Sequence, residues 1–186
     1  MPSISAQKKQ IRKNMSSMRK GMFSKTMSEK SLHVTHQLLS WDVFKNSKSL
    51  GLYLSKDDEA QTALILSTAK AEAKACYAPK MMGDQLFFGR IGWDNPLIKG
   101  QFDVEEPMFV DDKAVFEILL LPCVGFNYRG NRLGRGKGYF DRFLSSFKGL
   151  KVCLAFDVQH ISHIPTDTHD QSVDYVVTES QVFRCQ

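Results

Sequence analysis

From Ile118 to Leu121 four apolar residues follow one another without a polar break, and Pro122 ends the run. A strand with one wet face alternates. An unbroken run marks a strand buried on both faces, as in a parallel sheet covered by helices on each side. SLGLYL (Ser49–Leu54), Val152–Phe156 and Tyr175–Val177 fit the same reading, with shorter strand-like pieces at Ala75–Ala78 and Gln85–Ile91. Helical patterns alternate with them, from Ser5 to about Met22, after Thr26, over Ala60–Ala75 and over Tyr139–Phe147. This alternation predicts an α/β fold, a mostly parallel sheet with helices on both faces. No internal repeat, low-complexity tract or linker interrupts it, so residues 1–186 read as a single domain.

Local signals refine the pattern. Ser5 suits an N-cap and Gly21 a helix stop. Thr26-Met-Ser-Glu29 fits a capping box, followed by an apolar stripe of Leu32, Val34, Leu38 and Leu39. Gly92–Asp112 is loop-rich, with Pro96, Gly100 and Pro107. A polar loop with His160, His163, His169 and Asp170 separates the last two strands. Neither His33/His36 nor His160/His163 has glutamate or cysteine at a metal-site spacing. Trp41 and Trp93 read equally as packing or surface aromatics.

A chain of 186 residues, 42% hydrophobic and 24% charged, can bury a substantial core. No apolar run approaches the roughly 20 residues that cross a bilayer, and there is no secretory h-region. Cys76, Cys123, Cys153 and Cys185 form no CxxC pair; Cys76, Cys123 and Cys153, in or beside apolar runs, read as reduced, buried thiols of a cytoplasmic protein. The net charge of +5 suits nucleic acid, an anionic membrane surface or anionic small molecules. The first acid is Glu29; before it lie Lys8, Lys9, Arg12, Lys13, Arg19, Lys20 and Lys25. Such a start fits an organelle transit peptide or a basic helix of the folded protein.

The loop after the buried strand is the main functional candidate. Arg129, Arg132, Arg135 and Lys137 are interleaved with Gly130, Gly134, Gly136 and Gly138, and Tyr139-Phe140-Asp141 opens a helical pattern. Backbone amides freed of side chains, clustered cations and a carboxylate suit a polyphosphate with its metal ion. The loop also lies after a strand end, where α/β sheets bind ligands. It matches neither standard nucleotide motif. Aligning Gly136-Lys137 with the Walker GK puts Asn131 at the first glycine and Gly138 at the Ser/Thr position. The dinucleotide fingerprint fails because Gly138 comes one residue early. A solvated turn remains an equal reading of the composition.

The order of residues is more specific. GNRLGRGKGYFD closely resembles the signature loop of the 5-formyltetrahydrofolate cyclo-ligase (5,10-methenyltetrahydrofolate synthetase) family, G-x-R-L-G-x-G-x-G-Y-[YF]-D. KKQIR resembles that family's N-terminal K-x-x-x-R helix, LYLSKDDEAQT its strand followed by E-x-x-T, and FDVEEP a looser segment. Pro79 takes a family proline position. LAFDVQ and HIPTDTHDQSVDYVVTE resemble its C-terminal part.

The resemblance implies a three-layer, Rossmann-like sandwich of the NagB/RpiA/CoA-transferase-like type. It implies ATP-dependent conversion of 5-formyltetrahydrofolate to 5,10-methenyltetrahydrofolate, with ADP and phosphate released through a phosphorylated formyl intermediate. ATP is implied at Lys8, Lys9, Gln10, Ile11 and Arg12, and at Arg132, Leu133, Gly134, Arg135, Gly136, Lys137, Gly138, Tyr139 and Phe140. The folate is implied at Leu54, Glu59 and Arg135 to Tyr139, with Arg135, Lys137 and Tyr139 catalytic. Mg²⁺ is implied at Asp141 and Asp170, and Asp174 reads as structural. A site that uses Lys8 and Arg12 argues against a cleaved leader. The resulting expectation is a cytoplasmic monomer acting on a small molecule, without nucleic acid or membrane. The rivals are a basic nucleic-acid-binding protein and a same-fold ATP-dependent enzyme with another substrate.

Overall fold

The computed structural model describes residues 2–20, 24–100 and 104–186. In chain order the elements are α1 (Ile4–Lys20), α2 (Ser24–Ser40), α3 (Asp42–Asn46), β1 (Ser49–Leu52), α4 (Ala63–Ala71), β2 (Ala75–Met82), β3 (Gln85–Arg90), β4 (Leu97–Lys99), β5 (Glu105–Pro107), β6 (Ile118–Pro122), β7 (Gly125–Phe126), β8 (Arg132–Leu133), α5 (Tyr139–Leu144), β9 (Leu150–Leu154), β10 (Tyr175–Val177) and β11 (Val182–Arg184). Seven strands form the main sheet in the order β11-β10-β9-β6-β1-β2-β3. The inner five are parallel, and the two edge strands run antiparallel to their neighbours.

The unbroken apolar run occupies the position its pattern demands. β6 lies in mid-sheet; Ile118 and Leu120 pack on one side, Leu119 and Leu121 on the other. On the first side Val34 and Leu38 of α2, Phe44 of α3, and Ile65 and Ala69 of α4 close the core. The second side is covered by Leu144 of α5 and a cluster of rings: Phe88, Phe116, Phe143 and Phe147. Helices thus cover both faces, three on one and a short one on the other. Gly51 is small for a packing reason, because a Cβ there would meet the Phe116 ring at 2.5 Å.

Several local expectations shift. Ser3, not Ser5, caps α1: its Oγ accepts the Ala6 amide at 3.2 Å. The expected stop at Gly21 lies outside the described residues, as do Phe102 and Asp103 of FDVEEP. α2 begins at Ser24, so Thr26 and Glu29 are already helical. Its buried stripe is Ser31, Val34, Thr35 and Leu38, whereas Leu32 is exposed; helical periodicity turns position 32 away from that stripe. α4 starts three residues late because Thr62 is held by the preceding loop. It ends early at a reversal where Ala73 takes φ 58°. There Lys74 is buried, donating to the carbonyls of Phe44, Lys45 and Ser47 at 3.2, 2.8 and 2.7 Å. The loop-rich stretch after Gly92 holds the β4–β5 hairpin, beside β2 and β3. α5 stops at Leu144, and β9 runs two residues earlier than its apolar pattern, aligned by β6. Short edge strand β11 had no distinct sequence signal. Trp41 packs on Tyr175 at 4.7 Å between centroids, whereas Trp93 is exposed. Cys76, Cys123 and Cys153 are buried free thiols, and Cys185 is half-buried.

The strand order positions the site. β1 and β6 are neighbours, but the chain leaves β1 toward β2 and leaves β6 toward β9. The segments beyond their carboxyl ends therefore part, and a crevice opens at this switch point.

Candidate active site

Two loops meet at that crevice. The first leaves β1 and is tied down by its own side chains. Tyr53 Oη donates to Ala60 O at 2.6 Å, and Thr62 Oγ1 donates to Tyr53 O at 2.8 Å. Burial, then the charge of Glu59, pushes the Tyr53 hydroxyl well above its usual range. Glu59 is only 8% exposed, and its Oε2 accepts the Lys56 amide at 3.0 Å.

The second loop leaves β6. β7 and β8 pair antiparallel around a turn in which Asn127 Oδ1 accepts the amides of Arg129 and Asn131, each at 3.0 Å. This ribbon turns Arg132 inward. Its Nη2 donates to Asp141 Oδ1 at 3.0 Å, Nη1 donates to Pro122 O at 3.3 Å, and the guanidinium lies over the Phe140 ring. The run Gly134 to Gly138 then comes to the surface with Arg135 and Lys137 exposed. Gly136 and Gly138 take φ 98° and 70°, values that side chains resist. α5 follows at once and is strapped to the β2–β3 turn: Tyr139 Oη donates to Gly83 O at 3.3 Å, and Arg142 Nε to Asp84 O at 2.9 Å.

α1 lies against this loop through the two cations expected from its sequence. Arg12 Nε donates to Gly134 O at 2.8 Å, and Lys8 pairs with Asp170. Burial lowers the Arg12 pKa, opposed by the charges of Asp170 and then Asp141, so both carboxylates act on this one guanidinium. Lys9 and Gln10 are exposed, and Gln10 bonds Asn14 within the helix at 2.9 Å. Ile11 is half-buried.

Leu54 and Glu59 form one wall of a cavity of about 310 Å³, and Arg132, Gly134, Arg135, Lys137, Gly138, Tyr139, Phe140 and Asp141 line another. This volume is at the lower end of small-molecule sites. Across it Arg135 reaches Glu59 Oε1 from Nε at 3.0 Å and from Nη2 at 2.9 Å, and pairs with Asp58. Lys8, Arg12 and Asp170 stand beside the cavity, outside its lining. Asp141 and Asp170 are each ion-paired, to Arg132 and Lys8. Among the described residues no three His, Cys, Asp or Glu side chains gather as a metal cluster. A cation that takes only one or two protein ligands is what either carboxylate alone could hold.

Sequence reasoning missed part of the lining. Lys56, Met81, Val104, Glu105 and Glu106 all contribute. Glu106 is buried and pairs with Lys80 at 3.3 Å. Its available signal was a charge inside a short segment ending at a proline. Asp58 had no signal beyond its place in the acidic run 57–59.

The arrangement sets a buried carboxylate, Glu59, opposite a basic glycine loop, so it can hold a hydrogen-bond donor at one wall and an anion at the other. The model of the 5-formyltetrahydrofolate cyclo-ligase family matches residues 4–179. Over 194 residues the chain is 27% identical to the 5-formyltetrahydrofolate cyclo-ligase of Mus musculus, spanning 95% of this chain and 96% of that one. The enzyme of that name from Haemophilus influenzae is 27% identical over 172 residues, 87% of this chain and 88% of its own. Among solved structures, Aquifex aeolicus 5,10-methenyltetrahydrofolate synthetase superposes with a TM-score of 0.85 at 31% identity, over 96% of this chain and 93% of that one.

Proposed function

Since the chain belongs to the 5-formyltetrahydrofolate cyclo-ligase family, we propose that it converts 5-formyltetrahydrofolate to 5,10-methenyltetrahydrofolate by spending ATP on the formyl oxygen. The observation that supports this reading is a cavity on which Glu59 and the glycine loop converge from opposite sides. A formamide carbonyl is resonance-stabilised and its oxygen leaves poorly. Transfer of the γ-phosphoryl group to that oxygen releases ADP and gives an iminium-like phosphate ester. N10 then attacks the carbon and loses its proton, and the C–O bond breaks to release phosphate. Positioning and charge neutralisation dominate such chemistry.

Each side chain has a physical task in this scheme. The buried Glu59 carboxylate accepts paired N–H donors of the reduced pterin, beside Leu54. Lys8 and Arg12, one helical turn apart, address the ATP phosphates, with Lys9, Gln10 and Ile11 on the same segment. Amides of Gly134, Gly136 and Gly138 approach the triphosphate closely, flanked by Arg132, Leu133 and Phe140. Arg135 and Lys137 neutralise charge on the transferred group. Tyr139 presents its ring to the pterin side. Asp141 and Asp170 suit Mg²⁺, which leaves room for phosphate oxygens and water in its shell; bound with the nucleotide, the ion supplies further charge neutralisation. Arg132 and Lys8 orient these two carboxylates.

Residues 1–186 act in this reading as one domain and one cytoplasmic monomer, on a small molecule, without nucleic acid or membrane. The test is the absorbance of methenyltetrahydrofolate after purified protein meets 5-formyltetrahydrofolate, MgATP or both. Product is expected only with both. Absence of an ATP-dependent signal overturns the reading, and ATP turnover with a different acceptor favours a same-fold enzyme of other specificity.

A further inference from the structure

We propose that Asp58 is a positioning residue that holds Arg135 on Glu59, forming a latch through which nucleotide and folate each strengthen the other's binding. The inference rests on the reading above, in which Glu59 accepts the pterin and Arg135 meets phosphate. Arg135 places Nε and Nη2 on Glu59 Oε1, at 3.0 and 2.9 Å, and Nη2 also donates to Asp58 Oδ1. The other Glu59 oxygen accepts the Lys56 amide at 3.0 Å. Both oxygens of a buried carboxylate are therefore engaged, one of them by the guanidinium.

An aminopyrimidinone edge offers two parallel N–H donors and needs both oxygens of its carboxylate. It cannot form that pair while Arg135 covers Oε1. The guanidinium is constrained in turn. Of its five N–H donors, those on Nε and Nη2 face the two acids, so only those on Nη1 are left for a phosphate. Of the two partners, Arg135 is the one built to move. The Glu59 loop is tied by Tyr53 and Thr62. Arg135 lies between Gly134 and Gly136 with its side chain 45% exposed. A phosphate that draws Arg135 away uncovers Glu59 for the pterin, and a pterin that takes Glu59 releases Arg135 to phosphate. Asp58 is not among the residues lining the cavity; it sets how firmly the guanidinium stays on Glu59. The coupling must be equal in both directions.

The experiment is calorimetric titration of the full chain with 5-formyltetrahydrofolate, with and without a saturating non-hydrolysable ATP analogue and Mg²⁺, and the reverse titration. In the wild type each ligand is expected to tighten the other by the same factor, about fivefold or more. Asp58→Asn should bind 5-formyltetrahydrofolate more tightly than wild type without nucleotide and show a smaller coupling factor. Asp58→Glu, which keeps the charge, should restore the coupling. Folate affinity in the wild type that ignores the analogue overturns the latch. So does coupling in Asp58→Asn equal to that of the wild type. If Asp58→Asn does not fold, Asp58→Ser is titrated in its place, with the same outcomes expected. Turnover of the same wild-type preparation separates the two ideas: methenyl product without coupling overturns the latch alone, whereas no folate binding and no product overturns both.

Discussion

Arg132 and Arg135 lie three residues apart on one loop, and each holds a carboxylate, but their surroundings differ. The Arg132 side chain is 2% exposed, set by β8 against the ribbon and paired with Asp141 nine residues on. The Arg135 side chain is 45% exposed, and its partners come from a loop 76 and 77 residues earlier. Removing one member of a buried pair leaves an uncompensated charge inside. At Arg135 the guanidinium itself is half in solvent, and water entering the cavity can take its place beside Glu59, although that carboxylate is only 8% exposed. The same residue type thus serves the framework at one position and the exchange of ligands at the other. One loop can be rigid where it joins the sheet and adaptable where it meets substrate.

The strongest way to break this comparison is Arg132→Ala. It is expected to lower the free energy of unfolding by about 3–5 kcal/mol, read from urea denaturation, with Asp141 and the Pro122 carbonyl left without their donor. Arg135→Ala should do the reverse. Turnover should fall by about 10²–10³-fold, with a loss of stability smaller than that of Arg132→Ala, because water in the cavity can solvate Glu59. Equal losses of stability in the two variants would erase the distinction.

Lys74→Met sharpens the comparison from the other end of β2, where a buried cation donates to three backbone carbonyls and pairs with Glu72 at 3.4 Å. It strips the donor from three carbonyls at the end of α3 and should cost about 1–3 kcal/mol, with the affinity for 5-formyltetrahydrofolate unchanged. A large rise in KM would mean that the two ends of the sheet are coupled. Tyr53→Phe removes one buried hydrogen bond under Glu59. About 1 kcal/mol of stability should be lost, accompanied by a KM effect larger than any kcat effect.

The smallest effect concerns pH. Burial, with the charge of Asp174 added, pushes the Cys185 thiol up to about 11. Burial likewise raises Cys76, and raises Cys153 and Tyr53 further. These groups stay neutral in the folded chain at a pH where they ionise when unfolded, so the folded state binds more protons there. The contribution of the thiols is complete below the ordinary value of about 8.5 and that of Tyr53 below about 10; the Cys185 part is lost as pH rises toward about 11. Urea midpoints should fall through that window, and less so in Cys185→Ser. Identical slopes in the two proteins would remove Cys185 from the account.

Much of the fold was legible because its signals are local. The unbroken run 118–121 marked a strand buried on both faces, and β6 is in mid-sheet. The glycines announced backbone amides free of side chains, and Gly136 and Gly138 take positive φ there. What was illegible concerned ends and edges. The start of α4 depends on Thr62 holding the Tyr53 carbonyl, and β11 exists because β10 offers it an edge. Lys8 and Arg12 were recognisable as a pair on one helical face, but their partners Asp170 and Gly134 lie 162 and 122 residues away.

By itself the sequence determined the α/β class, the buried central strands with the helices that alternate with them, and the chemistry of the loop after β6, because hydrophobic period and residue order act over a few positions. The tertiary structure alone decided which arginine is buried and which acid it meets. Arg132 and Arg135 have the same donors and the same charge. Only the pairing of β7 with β8, and the switch point that brings the Glu59 loop across the crevice, give them different partners.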